Sequence, residues 1–270
     1  MKNLVNKIKI PLLAVGMFLS TNTFSQNNKN DSLVNKNIFN ISYFSRYNNS
    51  NILKNNIKNI DLNYNSDKPI ALIIQNKNDS WHAFATQKHI QNIEKFNIGY
   101  KTFVYEAEND SLAFKYIKET AEKYGKISLL MIAGHGNQVS LNLGETYQGD
   151  LKTIEEINLY ENFYIDISDT NKLKKYTKHL EEGAKIILSS CFTGEGGKET
   201  NNLANVIAKA FPGKIVYAPK EEFAVPYTSF IFDNKGKFEK VIFPDVYNYD
   251  KDITYSVLYQ ENKLLDMTNK

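Results

Sequence analysis

The chain has 270 residues, 42% of them hydrophobic and 13% aromatic, enough for one large domain or two small ones and incompatible with disorder throughout. Its formal charge of +3 comes from Lys2, Lys7 and Lys9 in the first 25 residues, which hold no acid; the rest balances 30 basic against 30 acidic residues. That balance gives no charge-based case for nucleic acid or membrane, and neither is expected as a partner.

Residues 1–25 read as a secretory signal peptide. The three lysines form a positive leader, residues 10–19 form an apolar stretch too short to span a bilayer comfortably, and Thr23 and Ser25 place small residues before Gln26. A short membrane anchor is the alternative. A lipoprotein anchor is not expected, because no cysteine lies near this site. The expectation is a secreted or periplasmic protein with no integral membrane segment after cleavage. Residues 26–66 are rich in Asn and Lys and read as an N-terminal extension, a propeptide-like arm. Residues 67–270 form the folded domain.

From Pro69 the pattern alternates. Residues 70–74 are a continuous apolar run, as in a strand covered on both faces. Residues 84–96 carry Ile90, Ile93 and Phe96 at helical spacing. A strand is expected over 100–105 and a helix over 110–124, with Asp110 or Ser111 near its N-cap and Gly125 past its end. A third strand covers 126–133. Residues 139–143 and 163–167 suggest short strands outside the main repeat. A helix is expected over 170–182 with Gly183 as its stop, a strand over 186–190, a helix over 199–211 and a strand over 214–218. Residues 229–232 and 238–243 flank Asp233-Asn-Lys-Gly236 as a hairpin. The stretch from Asp245 is mixed. Alternation of this kind implies an α/β fold, a mostly parallel sheet with helices on both faces.

Ligands of such sheets bind beyond the carboxyl ends of the strands. Two runs end there in reactive residues: Ile127-Ser-Leu-Leu-Met-Ile-Ala-Gly-His135-Gly136 and Lys185-Ile-Ile-Leu-Ser-Ser-Cys191. Cys191 is the sole cysteine, so no intramolecular disulfide exists. A thiol attacks carbonyls as its thiolate, and an imidazole can take its proton and later protonate a leaving amine. The amides of Gly136 and Cys191 are candidate oxyanion donors, and the helix after Cys191 is a candidate stabiliser of the thiolate. The bland alternatives are a buried structural cysteine and a loop histidine. A serine nucleophile at Ser189 or Ser190 also stays open.

Chain order discriminates further. All four histidines, His82, His89, His135 and His179, precede Cys191, whereas papain-like enzymes and α/β-hydrolases place the nucleophile before the base. The order His-Gly then Cys, each after an apolar strand, resembles the caspase–legumain–gingipain clan of cysteine peptidases, which includes clostripain-like enzymes and toxin self-processing domains. The resemblance rests on Ile132-Ala-Gly-His135-Gly136 and Leu188-Ser-Ser-Cys191 and extends loosely over residues 69–243. It implies a caspase-like sheet, a catalytic His135/Cys191 dyad, and an oxyanion hole from the amides of Gly136 and Cys191. It also implies an exported cysteine endopeptidase that hydrolyses peptide bonds through a thioester, with a peptide or protein as partner. The family within the clan stays open, as does oligomeric state. Several basic-specific members carry Asp two residues before the Cys, where this chain has Ser189.

Other candidates surround these. Trp81 and His82 follow the first strand, in a loop that helps form the specificity pocket in that clan. Glu221, Glu222 and Asp166 are carboxylates available to a basic substrate side chain. The Gly-rich stretch 193–200 lacks the spacing of a phosphate loop and is expected to be a flexible loop beside the nucleophile. His89 and His179 are assigned no catalytic role. No metal signature occurs and no cofactor is expected. The rival readings are a secreted binding protein that retains the fold and a different acyl-transfer enzyme with the same dyad.

Overall fold

The computed structural model describes residue 59 and residues 67–77, 79, 83–144 and 163–268. The expected signal peptide, nearly all of the N-terminal arm, and Trp81 and His82 lie outside the described residues. The elements are β1 (Ile70–Asn76), α1 (Gln87–Glu94), β2 (Lys101–Ala107), α2 (Asp110–Tyr124), β3 (Ile127–Ala133), β4 (His135–Gly136), β5 (Ser140–Asn142) and β6 (Tyr164–Asp166). They continue with α3 (Thr170–Lys174), β7 (Leu180–Ser189), α4 (Leu203–Ala210), β8 (Ile215–Pro219), β9 (Ser229–Phe232), β10 (Phe238–Ile242), β11 (Thr254–Gln260) and β12 (Lys263–Asp266).

Seven strands form one sheet in the order β12-β11-β8-β7-β3-β1-β2. The pairs from β2 to β8 are parallel, and β11 and β12 add antiparallel strands beside β8. This is the expected α/β architecture, a caspase-like and mostly parallel sheet with helices on both faces. Within the sheet the chain runs from β1 outward to β2, then returns to the other side of β1 as β3. The order therefore reverses between β1 and β3, which opens a crevice at their carboxyl ends.

The apolar runs divide by strand parity. On one face Leu72, Ile74, Leu130, Ile132, Ile186 and Leu188 pack with α2 and α4. On the other, Ile73, Met131 and Ile187 meet Ile90 and Ile93 of α1 and Phe230, Phe238 and Val241 of the β9–β10 hairpin. Each fully buried Ile or Leu contributes about 1.5–3 kcal/mol. The apolar continuity of β1 and β3 follows from this two-sided burial.

Caps set the helix starts. Thr86 accepts from the His89 amide, Asn109 from that of Leu112 and Asn202 from that of Asn205. The cap of α2 is thus Asn109, one residue before the expected Asp110. The expected helix over 170–182 ends at Lys174, because Leu180 already pairs with Ile127 in β7. Gly183 is not a helix stop. It adopts φ +71° inside β7, where the pairing with β3 jumps from Leu180 to Lys185. The helix expected over 199–211 is shortened to α4, since residues 197–199 form a separate 3-10 turn. The β11–β12 hairpin was not expected. Its turn is Glu261-Asn262, with φ +52° and +63°, the two positive values that a tight hairpin requires.

A three-stranded antiparallel sheet, β4-β5-β6, branches from the end of β3. A capping box closes β6: Asp166 accepts from the Ser168 amide, and Asp169 accepts from the Asp166 amide. Lys172 pairs with Asp110 and lies 3.5 Å from Asp169. Burial, reinforced by the charges of Asp166 and Asp110, raises the Asp169 carboxyl to about 6. The unfolded chain releases that proton near the ordinary value of 3.8. The stabilisation from holding it is therefore complete below that value and is lost as pH rises through about 6. Thermal melts of wild type should show this decline between about pH 4 and 6, and the decline should be missing in Asp169→Asn.

Candidate active site

The register fixes the positions of the two reactive residues. Ala133, the last residue of β3, pairs with Ser189, the last residue of β7. His135 and Cys191 each lie two residues beyond that pair, on neighbouring parallel strands whose backbones run about 4.8 Å apart. The Gly134 amide donates to the Ser189 carbonyl at 3.2 Å and extends the contact one step past the strands. Both residues serve the α1 face. His135 meets the Phe84 ring edge-on at 5.9 Å, and Cys191 packs against the cluster that holds Phe84, Phe223 and Val225.

The imidazole has a partner that the sequence reading missed. His135 Nε2 lies 3.0 Å from Asp79 Oδ1, and Asp79 Oδ2 accepts from the Phe84 amide at 2.9 Å. Asp79 is 1% exposed and the His135 side chain 12%. A carboxylate beside Nε2 places the proton on that nitrogen and makes Nδ1 the basic one. Asp79 follows β1 and His135 follows β3, so the contact bridges the reversal in strand order.

The strand that carries His135 is tied at several points. Asn76, at the end of β1, donates to the carbonyls of Asn142 and Gly144 at 3.3 and 3.4 Å. Asn137 Oδ1 accepts from the amides of Val139 and Ser140, both at 2.9 Å, closing the turn from β4 to β5. Gln138 then accepts from the Leu203 amide at 2.8 Å and donates to the Glu195 carbonyl at 3.4 Å. The histidine hairpin is thereby docked on the loop that follows Cys191.

Gly136 stands where the two segments meet. The Asn137 amide donates to Ser140, so alternation along the ladder turns the Gly136 amide away from β5. That leaves the orientation an oxyanion donor needs. A Cβ on Gly136 would lie 2.0 Å from Ser190 Oγ and 2.7 Å from the Ser140 carbonyl. Gly136→Ala should therefore displace β4 and lower the melting temperature by an amount equivalent to about 1–3 kcal/mol. Thermal melts of the variant beside wild type check this.

Cys191 leads into a tight turn. Phe192 takes φ +61°, Thr193 Oγ1 donates to the Ser190 carbonyl at 2.8 Å, and the Phe192 amide donates to Glu221 at 3.3 Å. The Gly-rich loop is tied down, contrary to the expected flexibility. Asn202 Nδ2 donates to the carbonyls of Glu195 and Gly197, and Asn205 Nδ2 to those of Gly197 and Thr200. The Tyr255 hydroxyl fixes Asn205 at 2.9 Å.

Burial pushes the Cys191 thiol up to about 11, with the Glu222 charge adding to it, while the amides of Phe223 and of Cys191 itself act in the opposite sense. The expected help from the following helix is absent. The first α4 amides are engaged by Gln138, Thr193 and Asn202 instead of the sulfur. At neutral pH this cysteine is a thiol, and it needs a base to react.

The remaining candidates fall in different places. Ser189 is 1% exposed, lies on the same face as Ile187, and its hydroxyl has no hydrogen-bond partner among the described residues. Ser190 is fully buried beneath Gly136. Glu221 has its backbone beside Phe192, but its carboxylate pairs with Lys251 at 2.8 Å. Glu222 is exposed. Asp166 caps the end of β6 on the opposite side of the sheet from α1. His89 is buried 3.0 Å from Gln75, and desolvation lowers it to about 4, so it stays neutral. Among the described residues no cluster of His, Cys, Asp or Glu is arranged to hold a metal ion, and no helix is long and apolar enough to cross a membrane.

No curated protein matches the chain. Residues 85–219 match a family model described as a domain of unknown function, DUF4347. The match runs from the residue before the α1 cap to the end of β8 and includes both His135 and Cys191. It covers half of the chain, which therefore belongs to the DUF4347 family.

Proposed function

We propose that this protein is an exported cysteine endopeptidase of the caspase–legumain–gingipain clan, with His135 and Cys191 as its dyad. The observation that carries the reading is the matched placement of these residues beyond Ala133 and Ser189 on adjacent parallel strands. Asp79 supports it by holding the imidazole through Nε2.

In this reading the dyad works by general base catalysis, since the thiol is protonated at rest. His135 Nδ1 takes the Cys191 proton as the sulfur attacks the scissile carbonyl carbon. The amides of Gly136 and Cys191 receive the developing oxyanion. The carbon–nitrogen bond breaks, the amine leaves with the proton from His135, and a thioester remains on Cys191. Water then attacks the thioester, giving one proton to His135. The sulfur leaves and regains that proton, and the acid product departs. Asp79 stabilises the imidazolium in both halves and keeps its ring oriented.

One observation favours the rival, a binding protein that retains the fold: the thiol is held well above the ordinary range by burial. Turnover separates the two. The purified protein, incubated with a mixed peptide pool and quenched rapidly, should release new peptide termini and carry an acyl adduct on Cys191 by intact mass. A protein that binds peptides but yields neither termini nor adduct is the binding protein instead.

A further inference from the structure

Among the described residues β2 is the outermost strand of the large sheet, paired only with β1. An open strand edge invites pairing with another chain, and native proteins cover it. The Lys101 amide donates to the Pro69 carbonyl at 2.9 Å, so Lys101 turns its backbone toward β1. Backbone groups alternate along a strand, and Thr102, Val104 and Glu106 therefore turn theirs outward. This edge is not open to water. All three residues are at most 9% exposed, and the Thr102 hydroxyl is buried without a hydrogen-bond partner among the described residues. One group is seen at the edge itself. Asn59 Nδ2 donates to the Thr102 carbonyl at 2.8 Å, and Asn59 is 6% exposed. Asn59 lies within residues 26–66, the expected propeptide-like arm.

We propose that Asn59 docks the N-terminal arm on the outer edge of β2 as a permanent part of the domain, so that the arm closes the sheet and is not released as a propeptide. A buried carboxamide bound to a buried carbonyl is costly to separate, because a carbonyl kept from water then has no partner in its place. The covalent link from Asn59 to β1 makes the contact intramolecular, which favours it further. The dock is also remote from the dyad. Thr102 pairs with Ala71 of β1, and Ala71 pairs with Leu129 of β3. Ala133, the last residue of β3, is four residues beyond Leu129, about 13 Å along the strand. At Asn59 the chain thus braces the far edge of the sheet and does not lie across the strand ends that carry His135 and Cys191. The docking holds whether or not Cys191 hydrolyses peptides.

The test is hydrogen exchange, read by mass spectrometry on peptides from wild type, Asn59→Ala and Asn59→Asp. The Asp variant keeps the shape of Asn59 but sets a carboxylate oxygen against the Thr102 carbonyl, so it should disturb the edge more than Ala does. Peptides covering residues 101–107 should exchange at least ten-fold faster in Asn59→Asp than in wild type, with Asn59→Ala between them. Peptides from β3 and β7 should keep their wild-type rates, which separates loss of the dock from a general loss of stability. Equal rates over 101–107 in all three proteins, or a uniform rise across the sheet, overturn the proposal. Limited proteolysis of wild type decides the matter where a variant does not fold. Every product that stays folded should begin upstream of Asn59. A trimmed product that begins after Asn59 and melts at the wild-type temperature shows that the arm is dispensable and overturns the proposal.

Discussion

His135→Ala should reduce kcat/KM for peptide cleavage by about 10²–10⁴-fold, and Cys191→Ala should abolish the acyl adduct and leave no thioester-dependent turnover. The first loss equals about 3–5 kcal/mol of transition-state stabilisation. It is large because the thiol, raised to about 11, is almost entirely protonated at neutral pH without a base. Truncating His135 also removes one hydrogen bond from the buried Asp79 carboxylate, at a cost of about 1–3 kcal/mol in stability. His135→Gln separates the two effects. It retains a donor for Asp79 and lacks a base, so its melting temperature should recover while its activity stays low. Steady-state kinetics and thermal melts on the three variants check this, and a His135→Gln protein within three-fold of wild-type activity would contradict it.

Asp79→Asn should lower kcat by about 10²–10³-fold at pH 7 with little change in KM. The amide can still accept from the Phe84 amide, so the loop keeps its shape. Toward His135 it can present its NH2 group, which favours the tautomer with Nε2 unprotonated and turns the wrong nitrogen into the base. The charge that stabilises the imidazolium is lost as well. Asp79→Ala should be less stable than Asp79→Asn, because it removes the carboxylate that accepts from the buried Phe84 amide. The split between kcat and KM distinguishes positioning of the base from a contact with substrate. An unchanged kcat with a raised KM would assign Asp79 to substrate binding instead.

Much of the sheet was legible because burial on both faces leaves a plain mark. The runs 70–74, 126–133 and 186–190 became β1, β3 and the end of β7, and their order placed His135 and Cys191 at one edge. Asp233-Asn-Lys-Gly236 marked the β9–β10 hairpin through its turn residues. The β11–β12 hairpin was hidden because Glu261-Asn262 is not a familiar turn pair. Tyr255 and Val257 do alternate with Thr254 and Ser256, with the former pair packed on the α2 side. The overlong helix over 170–182 arose from treating Gly183 as a stop, where its positive φ serves a bulge in β7.

At the site, strand ends were readable and cross-chain partners were not. Nothing local to Asp79 distinguishes it from other loop carboxylates; its role comes from the strand reversal that sets the β1 loop against the β3 end. The amides around Cys191 were similarly invisible. Proximity in sequence suggested α4 as the stabilising helix, yet its first turn is occupied, and the Phe223 amide from the far side of β8 reaches the sulfur. The Gly-rich stretch looked loose by composition. Asn202 and Asn205, two residues of the following helix start, bind its carbonyls and tie it down.

The most direct test of the dyad is the rate at which iodoacetamide alkylates Cys191 at pH 7 in wild type and in His135→Gln. If His135 is the base for this thiol, wild type should react at least ten-fold faster, and the variant should require alkaline pH to reach the same rate. Equal rates across pH 6–9 would show that Cys191 reacts without His135 and would contradict the account.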